Sequence, residues 1–428
     1  MTHYSLPQPS FHRNNLLRTW LLCPRVIRIS LLPFVTVFLV LLLAAPNPAC
    51  ARSAESIREA FRQQISAEER AQFDAYRAAQ VFHAAASDAY WALVEKKRAL
   101  RRTKKARGRP LLKTDYAQKM PPDYTGPSLS RSLAAKWRKF QERFEEKTPE
   151  VERSTLPTVA DFLDSARRHF DFVPERIPEN TFKERYAREA LAHGLTGDQV
   201  VRVYALETSG LGSADMQAVN RNGVPISTAL GYAQLLAANS VSEIAKHGRE
   251  FVDRLREMAR RAPEGSRDRK RLVAKARSLE RMVYRARKLP FKWSRHVAFA
   301  KTDVGRGIHA VNIDGDIGPW IQVIKLKGLK EMASKAGRSR LTGAEIELMN
   351  LAGPGTGLEM MEPVARTAPS TNFFARDAYY RNTIVRGKTA AELIQALDDR
   401  MEVNLKNSGA VEFTRIFKRL EGKLHADR

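Results

Sequence analysis

Cysteine is nearly missing from this 428-residue chain: Cys23 and Cys50 are the only two. A disulfide scaffold and a thiolate metal site are both excluded beyond residue 50. The nine histidines are scattered, with no His-x-x-x-His or His-Glu-x-x-His spacing, so no metal is expected. Alternating strand-like runs are scarce, which argues against a sheet-based fold. Acids are outnumbered, 47 against 73 Lys and Arg, which leaves a formal charge of +26. Such a surface seeks polyanions, although a generally basic proteome produces the same surplus.

Long apolar runs are also rare, and the one present is informative. Residues 1–28 carry Arg13, Arg18, Arg25 and Arg28 and no acid. Residues 29–45 are almost wholly apolar, and Ala49-Cys50-Ala51 offers a small-x-small cleavage site. This layout predicts a signal peptide over 1–51 and a periplasmic location. The alternative is a retained inner-membrane anchor, for which seventeen apolar residues interrupted by Pro33 are short. Cleavage would remove four Arg and no acid, turning +26 into +22. Outside the cytoplasm the polyanions on offer are envelope polymers and anionic lipid, not nucleic acid.

The rest reads as helix. Residues 52–175 form a basic helical extension with a Pro-rich linker. In its first part Ile57, Phe61, Ile65, Phe73, Tyr76, Tyr90, Leu93 and Val94 recur at helical spacing. Lys96–Arg109 then packs nine bases into fourteen positions. A second helix spans Ser130 to Lys147. Thr181-x-x-Glu184, Thr342-x-x-Glu345 and Thr389-x-x-Glu392 read as capping boxes, and Asp198 reads as a further helix cap. Ile308–Trp320 is the least helical piece. A basic helical insert near 250–292 carries the apolar stripe Leu272, Ala276, Leu279, Val283. Its bases suit either a solvated face or an arm for anionic polymers.

Three short motifs stand in order within 176–428: Ala205-Leu206-Glu207-Thr208-Ser209-Gly210, then Gly231-Tyr232-Ala233-Gln234, then Asn350-Leu351-Ala352-Gly353-Pro354-Gly355. Glu207 would end a helix whose apolar face is Val200, Val203, Tyr204 and Leu206. Helix-end carbonyls and apolar neighbours disfavour a carboxylate, so such a Glu suits a proton donor.

This order of motifs resembles the lytic transglycosylases of the lysozyme superfamily. The resemblance covers residues 195–240 and 342–358 and implies an all-α, lysozyme-like transglycosylase core with the helical N-terminal extension. It implies cleavage of the MurNAc–GlcNAc β-1,4 bond of peptidoglycan without a cofactor. One Glu, here Glu207, acts as acid and then as base, and the product ends in 1,6-anhydro-MurNAc. Carried over, Thr208 or Ser209 matches the hydroxyl after the catalytic Glu, Gln234 matches a sugar-binding Gln, and Gly231 keeps the backbone near the glycan. Tyr232, where the family has an apolar residue, suits either a stacking platform or the core. Asn350 replaces the family's substrate-facing Tyr, for which Tyr379 or Tyr380 could substitute. The spacing from Glu207 to Gly231 and the stretch 241–343 both exceed the family's usual lengths. Asp215 is the one acid between the first two motifs, and hydrolysis would need it as a second carboxylate.

The missing Tyr leaves a second reading, a catalytically weak peptidoglycan-binding or scaffold protein on the same fold. Asn312-Ile313-Asp314-Gly315-Asp316 is similar to part of a calcium loop but lacks its sixth-position Gly and final Glu, so a tight acidic turn is expected.

Overall fold

A computed structural model describes residues 54–144 and 156–426. The predicted signal peptide and both cysteines lie outside the described residues. Helix makes up 68% of the structure and strands are almost lacking, so the fold is all-α. No described helix is long and apolar enough to cross a membrane. Residues 58–428 form one compact unit, while residues 54–57 belong to the preceding unit, Met1–Ile57.

The extension supplies α1 (Ala54–Arg62), α2 (Ala67–Ala106), α3 (Arg131–Gln141) and α4 (Val159–Phe170). The continuous helix expected from Ile57 is broken at Ser66, which caps α2 in a reciprocal pair with Glu69. Then come α5 (Glu179–Ala192), α6 (Gly197–Thr208), α7 (Ala237–Arg261), α8 (Arg267–Arg287), α9 (Trp293–Ala300), α10 (Asp303–His309) and α11 (Ile317–Lys335). The chain closes with α12 (Gly343–Ala352), α13 (Pro354–Met361), α14 (Arg376–Arg381), α15 (Ala390–Asn404) and α16 (Ser408–Ala426).

Two apolar clusters hold this unit together. One gathers α5, α6, α12, α15 and α16 around Tyr204, Tyr232, Met349 and Phe413. The other gathers α4, α7, α8 and α10 around Phe162, Ile244, Leu279 and Ile308. Helix α11 serves both: Val323 and Leu326 enter the first, Ile317 and Ile321 the second. A helix buried on all sides has no polar face, and that is why Ile308–Trp320 did not read as helical. It comprises the end of α10, a short 3-10 turn, and the start of α11, broken only at Asp314–Asp316.

The extension does not stand apart from the rest, as a boundary at residue 175 would suggest. Trp91 and Val94 of α2 belong to the first cluster. Arg101 is only 3% exposed. Its guanidinium donates to Glu359 at 2.8 Å and to the Asn372 carbonyl at 2.6 Å, and lies 4.4 Å from the Tyr116 ring centre. Arg98 and Lys104 are likewise engaged, with Phe374 O and Asp115. Of the basic run, Lys96, Arg102, Lys105, Arg107 and Arg109 stay exposed, and Lys105 among them pairs with Glu359.

The capping boxes at Thr342 and Thr389 form as expected. The one at Thr181 does not, because α5 begins at Glu179 behind Pro178, which fixes a helix-ready φ. Asp198 is not the cap of α6 either. Thr196 takes that place with Gln199, and Asp198 binds Arg202 one turn on at 2.6 Å.

Helices α7 and α8 form an antiparallel hairpin on the second cluster, with Leu272, Ala276, Leu279 and Val283 buried as the stripe predicted. One base of the insert points inward. The Lys275 amine meets Asp314 at 2.9 Å, Asp316 at 2.5 Å and Glu175 at 3.1 Å. The calcium-like turn is thus filled by an ammonium from α8. Arg271 and Arg185 complete the cluster on Asp316 at 3.1 and 2.6 Å. Burial alone would push the Asp316 carboxyl up, but these cations hold it below its usual range. Burial opposes the charge on Lys275, and the two aspartates outweigh it and raise its pKa.

Candidate active site

Glu207 lies in the last turn of α6. The helix stops because Ser209 turns left-handed (φ 53°) and Gly210 follows at φ 66°. A side chain at Gly210 would strike the Asn404 carbonyl at 2.3 Å, so only glycine fits there. The Glu207 carboxyl sits among protein atoms near the helix C-terminus, and part of the residue reaches the surface. Burial pushes it up from 4.5 to about 7, against the opposing pull of hydrogen bonds from Glu347 and Asn350.

Asn350 projects from α12 and donates to Glu207 Oε1 at 3.2 Å. It therefore meets the carboxyl directly, in the place where the resembled family carries Tyr. The same amide lies 3.4 Å from Glu347 Oε1. Glu347 is the residue that sequence reasoning missed. It is 4% exposed, and its carboxyl is in hydrogen-bond contact with Glu207. The signal was present: Glu347 and Asn350 are three apart on one helix, so they share a face. Neither carboxyl has an ion-pair partner among the described residues. Burial and the neighbouring Glu207 charge both raise the Glu347 pKa well above the ordinary carboxylate range.

The other expected site residues mostly build the scaffold. Thr208 is buried and its hydroxyl donates to the Tyr204 carbonyl at 2.6 Å, inside its own helix. Ser209 is exposed beside Glu207. Gly231 adopts φ 76°, and a Cβ there would meet the Gln322 amide at 2.6 Å. Gln322 in turn accepts from Ala233 N at 3.0 Å and so fixes the turn to α11. Gln234 (φ 39°) spends its amide on the Met216 and Gly231 carbonyls, at 3.0 and 2.8 Å.

Tyr232 is 1% exposed, in the core rather than on a glycan-facing surface. Its ring lies 4.8 Å from that of Tyr204 and 5.1 Å from that of Phe182. Its hydroxyl donates to Glu179 at 2.5 Å. The second motif therefore locks a turn against the helix that carries Glu207.

Behind that turn, His309 is fully buried between the Thr228 carbonyl, at 2.7 Å, and the Ser240 hydroxyl, at 2.8 Å. Burial lowers its pKa from 6.5 to about 4. Asp215 accepts from Ser213 at 2.6 Å and pairs with Arg176 at 2.5 Å; none of its hydrogen bonds reaches Glu207. Tyr379 is buried against Trp91, 5.7 Å between ring centres, and accepts from Gly387 N. Tyr380 also packs on Trp91, with ring centres 6.0 Å apart.

Two surface grooves of about 540 and 550 Å³ lie between α7 and α8 and beside α4, and neither is lined by Glu207. Comparison with protein-family models, with curated proteins and with solved structures finds no match to this chain.

Proposed function

We propose that this protein is an exported lytic transglycosylase that cuts the MurNAc–GlcNAc β-1,4 bond of peptidoglycan with Glu207 as its acid and then its base. The observation that carries this reading is the state of Glu207: a helix-end carboxyl, desolvated, without a cation, partly open to the surface, and raised to about 7. Such a group holds its proton near neutral pH and can give it to a glycosidic oxygen. Cleavage of C1–O4 moves that proton to the leaving oxygen. Attack of the sugar's own 6-hydroxyl on C1 then returns a proton to Glu207 and closes the 1,6-anhydro ring.

Asp215, tied to Arg176 and Ser213, offers no second carboxylate for hydrolysis beside Glu207. Ser209, exposed, and Asn350, partly buried, are the polar neighbours of Glu207 to which this reading gives the sugar. Mass spectrometry of sacculi digested by the mature chain tests this. Soluble fragments ending in 1,6-anhydro-MurNAc are expected, and reducing ends would replace this mechanism by hydrolysis.

One observation favours the second reading, a non-cleaving peptidoglycan-binding protein. Thr208, Tyr232 and Gln234 all spend their polar groups on the fold, which leaves few for a glycan. Sacculus binding with no soluble fragment would select it.

A further inference from the structure

Glu347 poses a problem that the scaffold does not answer. A carboxylate at 4% exposure needs a cation or several donors, or it must be neutral. Its Oε1 has the Asn350 amide at 3.4 Å, a long bond already shared with Glu207. Its buried Oε2 has no protein donor at all. What it does have is the Glu207 carboxyl in contact beside it, the two gathered on one Asn350 amide at 3.2 and 3.4 Å. Two carboxyls can make that contact only if one carries a proton. Glu347, the more deeply buried and the farther from solvent, is the one that keeps it.

The charges around it agree. Across from α12, helix α6 presents Glu207 itself, an acid. From α11 comes Lys325, which acts on Glu347 at range and makes no ion pair with it. Burial lowers the Lys325 pKa, and Glu243 and Lys246 of α7 pull it in opposite directions. The acids of α15, Asp398 and Glu402, are engaged with Arg202, and Glu359 of α13 with Arg101. Among the described residues no cation forms an ion pair with Glu347, and the longer-range pull of Lys325 is outweighed by burial and by Glu207.

We propose that Glu347 is a positioning residue that stays uncharged and donates a hydrogen bond to the carboxylate left on Glu207 after proton transfer. This rests on Glu207 being the acid of the reaction proposed above. When Glu207 protonates the leaving oxygen, a bare anion forms in a dry site, an outcome that would otherwise slow the step. The Asn350 amide donates to it at 3.2 Å, and the Glu347 carboxyl lies beside it. Hydrogen bonds to an ionised acceptor are about twice as strong as neutral ones, so the support grows as the charge develops. The Glu347 proton never leaves. Glu207 regains its own from the sugar's 6-hydroxyl, and the pair returns to its starting state.

Two variants separate this from a packing role. Glu347→Gln keeps a neutral donor, so kcat should stay within roughly threefold and the alkaline limb of the pH profile should not move. Glu347→Leu keeps the bulk and removes the donor. Its kcat should fall roughly 10- to 100-fold, and its alkaline limb should move up by about one unit, because the Glu207 anion has lost support. Equal losses in both variants with an unmoved limb would overturn the proposal. A carboxyl ¹³C titration of the wild-type protein needs no catalysis and no variant. One glutamate resonance should remain protonated through neutral pH and be missing from the spectrum of Glu347→Gln. Ordinary titration of Glu347 would sink the proposal even if glycan is cut. A chain that cuts no glycan but keeps that resonance would defeat the functional reading alone.

Discussion

The chain buries two groups of acids and treats them oppositely. Asp314 and Asp316 meet Lys275, Arg271 and Arg185, so the charge is matched and the turn is locked. Glu207 and Glu347 meet each other and one amide, with no ion pair among the described residues and only Lys325 acting at range. Both pairs lie in the same compact unit, and α11 runs from one toward the other. The first arrangement is scaffold: its cations hold Asp316 below the usual carboxylate range and oppose the rise that burial gives Asp314. The second leaves a proton mobile near neutral pH, which is what acid catalysis requires. Compensation by a cation, rather than burial, separates the two.

The sharpest break in this contrast is Glu207→Gln. It keeps the shape and loses the proton, so glycan cleavage should fall by roughly 10² to 10⁴, read as soluble muropeptide release. Stability should hardly change, since no ion pair is lost. Fragment release near the wild-type rate would remove Glu207 from the chemistry.

Lys275→Met should do the reverse. It leaves the buried aspartates without their cation and should cost about 3–5 kcal/mol in urea unfolding. The double variant with Asp316→Asn should recover part of that loss. Cleavage per folded molecule should stay near normal.

A smaller effect follows from His309, which is held neutral with its pKa lowered from 6.5 to about 4. Below pH 6.5 the unfolded chain binds a proton that the folded chain refuses. Stability should therefore fall as pH drops from 6.5 toward 4, by about 3 kcal/mol at the lower end. Denaturation at a series of pH values checks it, and His309→Gln should flatten that slope.

The smallest effect on the fold belongs to Lys96, Arg102, Arg107 and Arg109. Replacing all four by Gln should leave stability within about 0.5 kcal/mol and weaken sacculus pull-down at low salt. Arg101 must be left out of that set, because its removal would take a buried donor from the Asn372 carbonyl, leave Glu359 with Lys105 alone and destabilise the fold.

Much of the helix content was legible in the sequence. The periodic stripes of α2 and α8 and the boxes at Thr342 and Thr389 all rest on local rules. Glu207 was legible too, as the last-turn acid of an apolar helix. Local rules failed at Thr181, where Pro178 starts the helix earlier, and at Ile308–Trp320, where burial on every side erased the period. They also left Tyr232 open between a stacking platform and the core. An aromatic beside a turn looks the same whether it faces solvent or fills a core.

The sequence by itself determined an all-helical chain of high positive charge and one helix-end glutamate. Only the tertiary structure decided which charges are matched. Lys275 reaches Asp314 across 39 positions, and Asn350 reaches Glu207 across 143. The reason is physical: a carboxyl's state depends on the cations, donors and water around it, and neighbours that distant in sequence are brought together only when the helices pack.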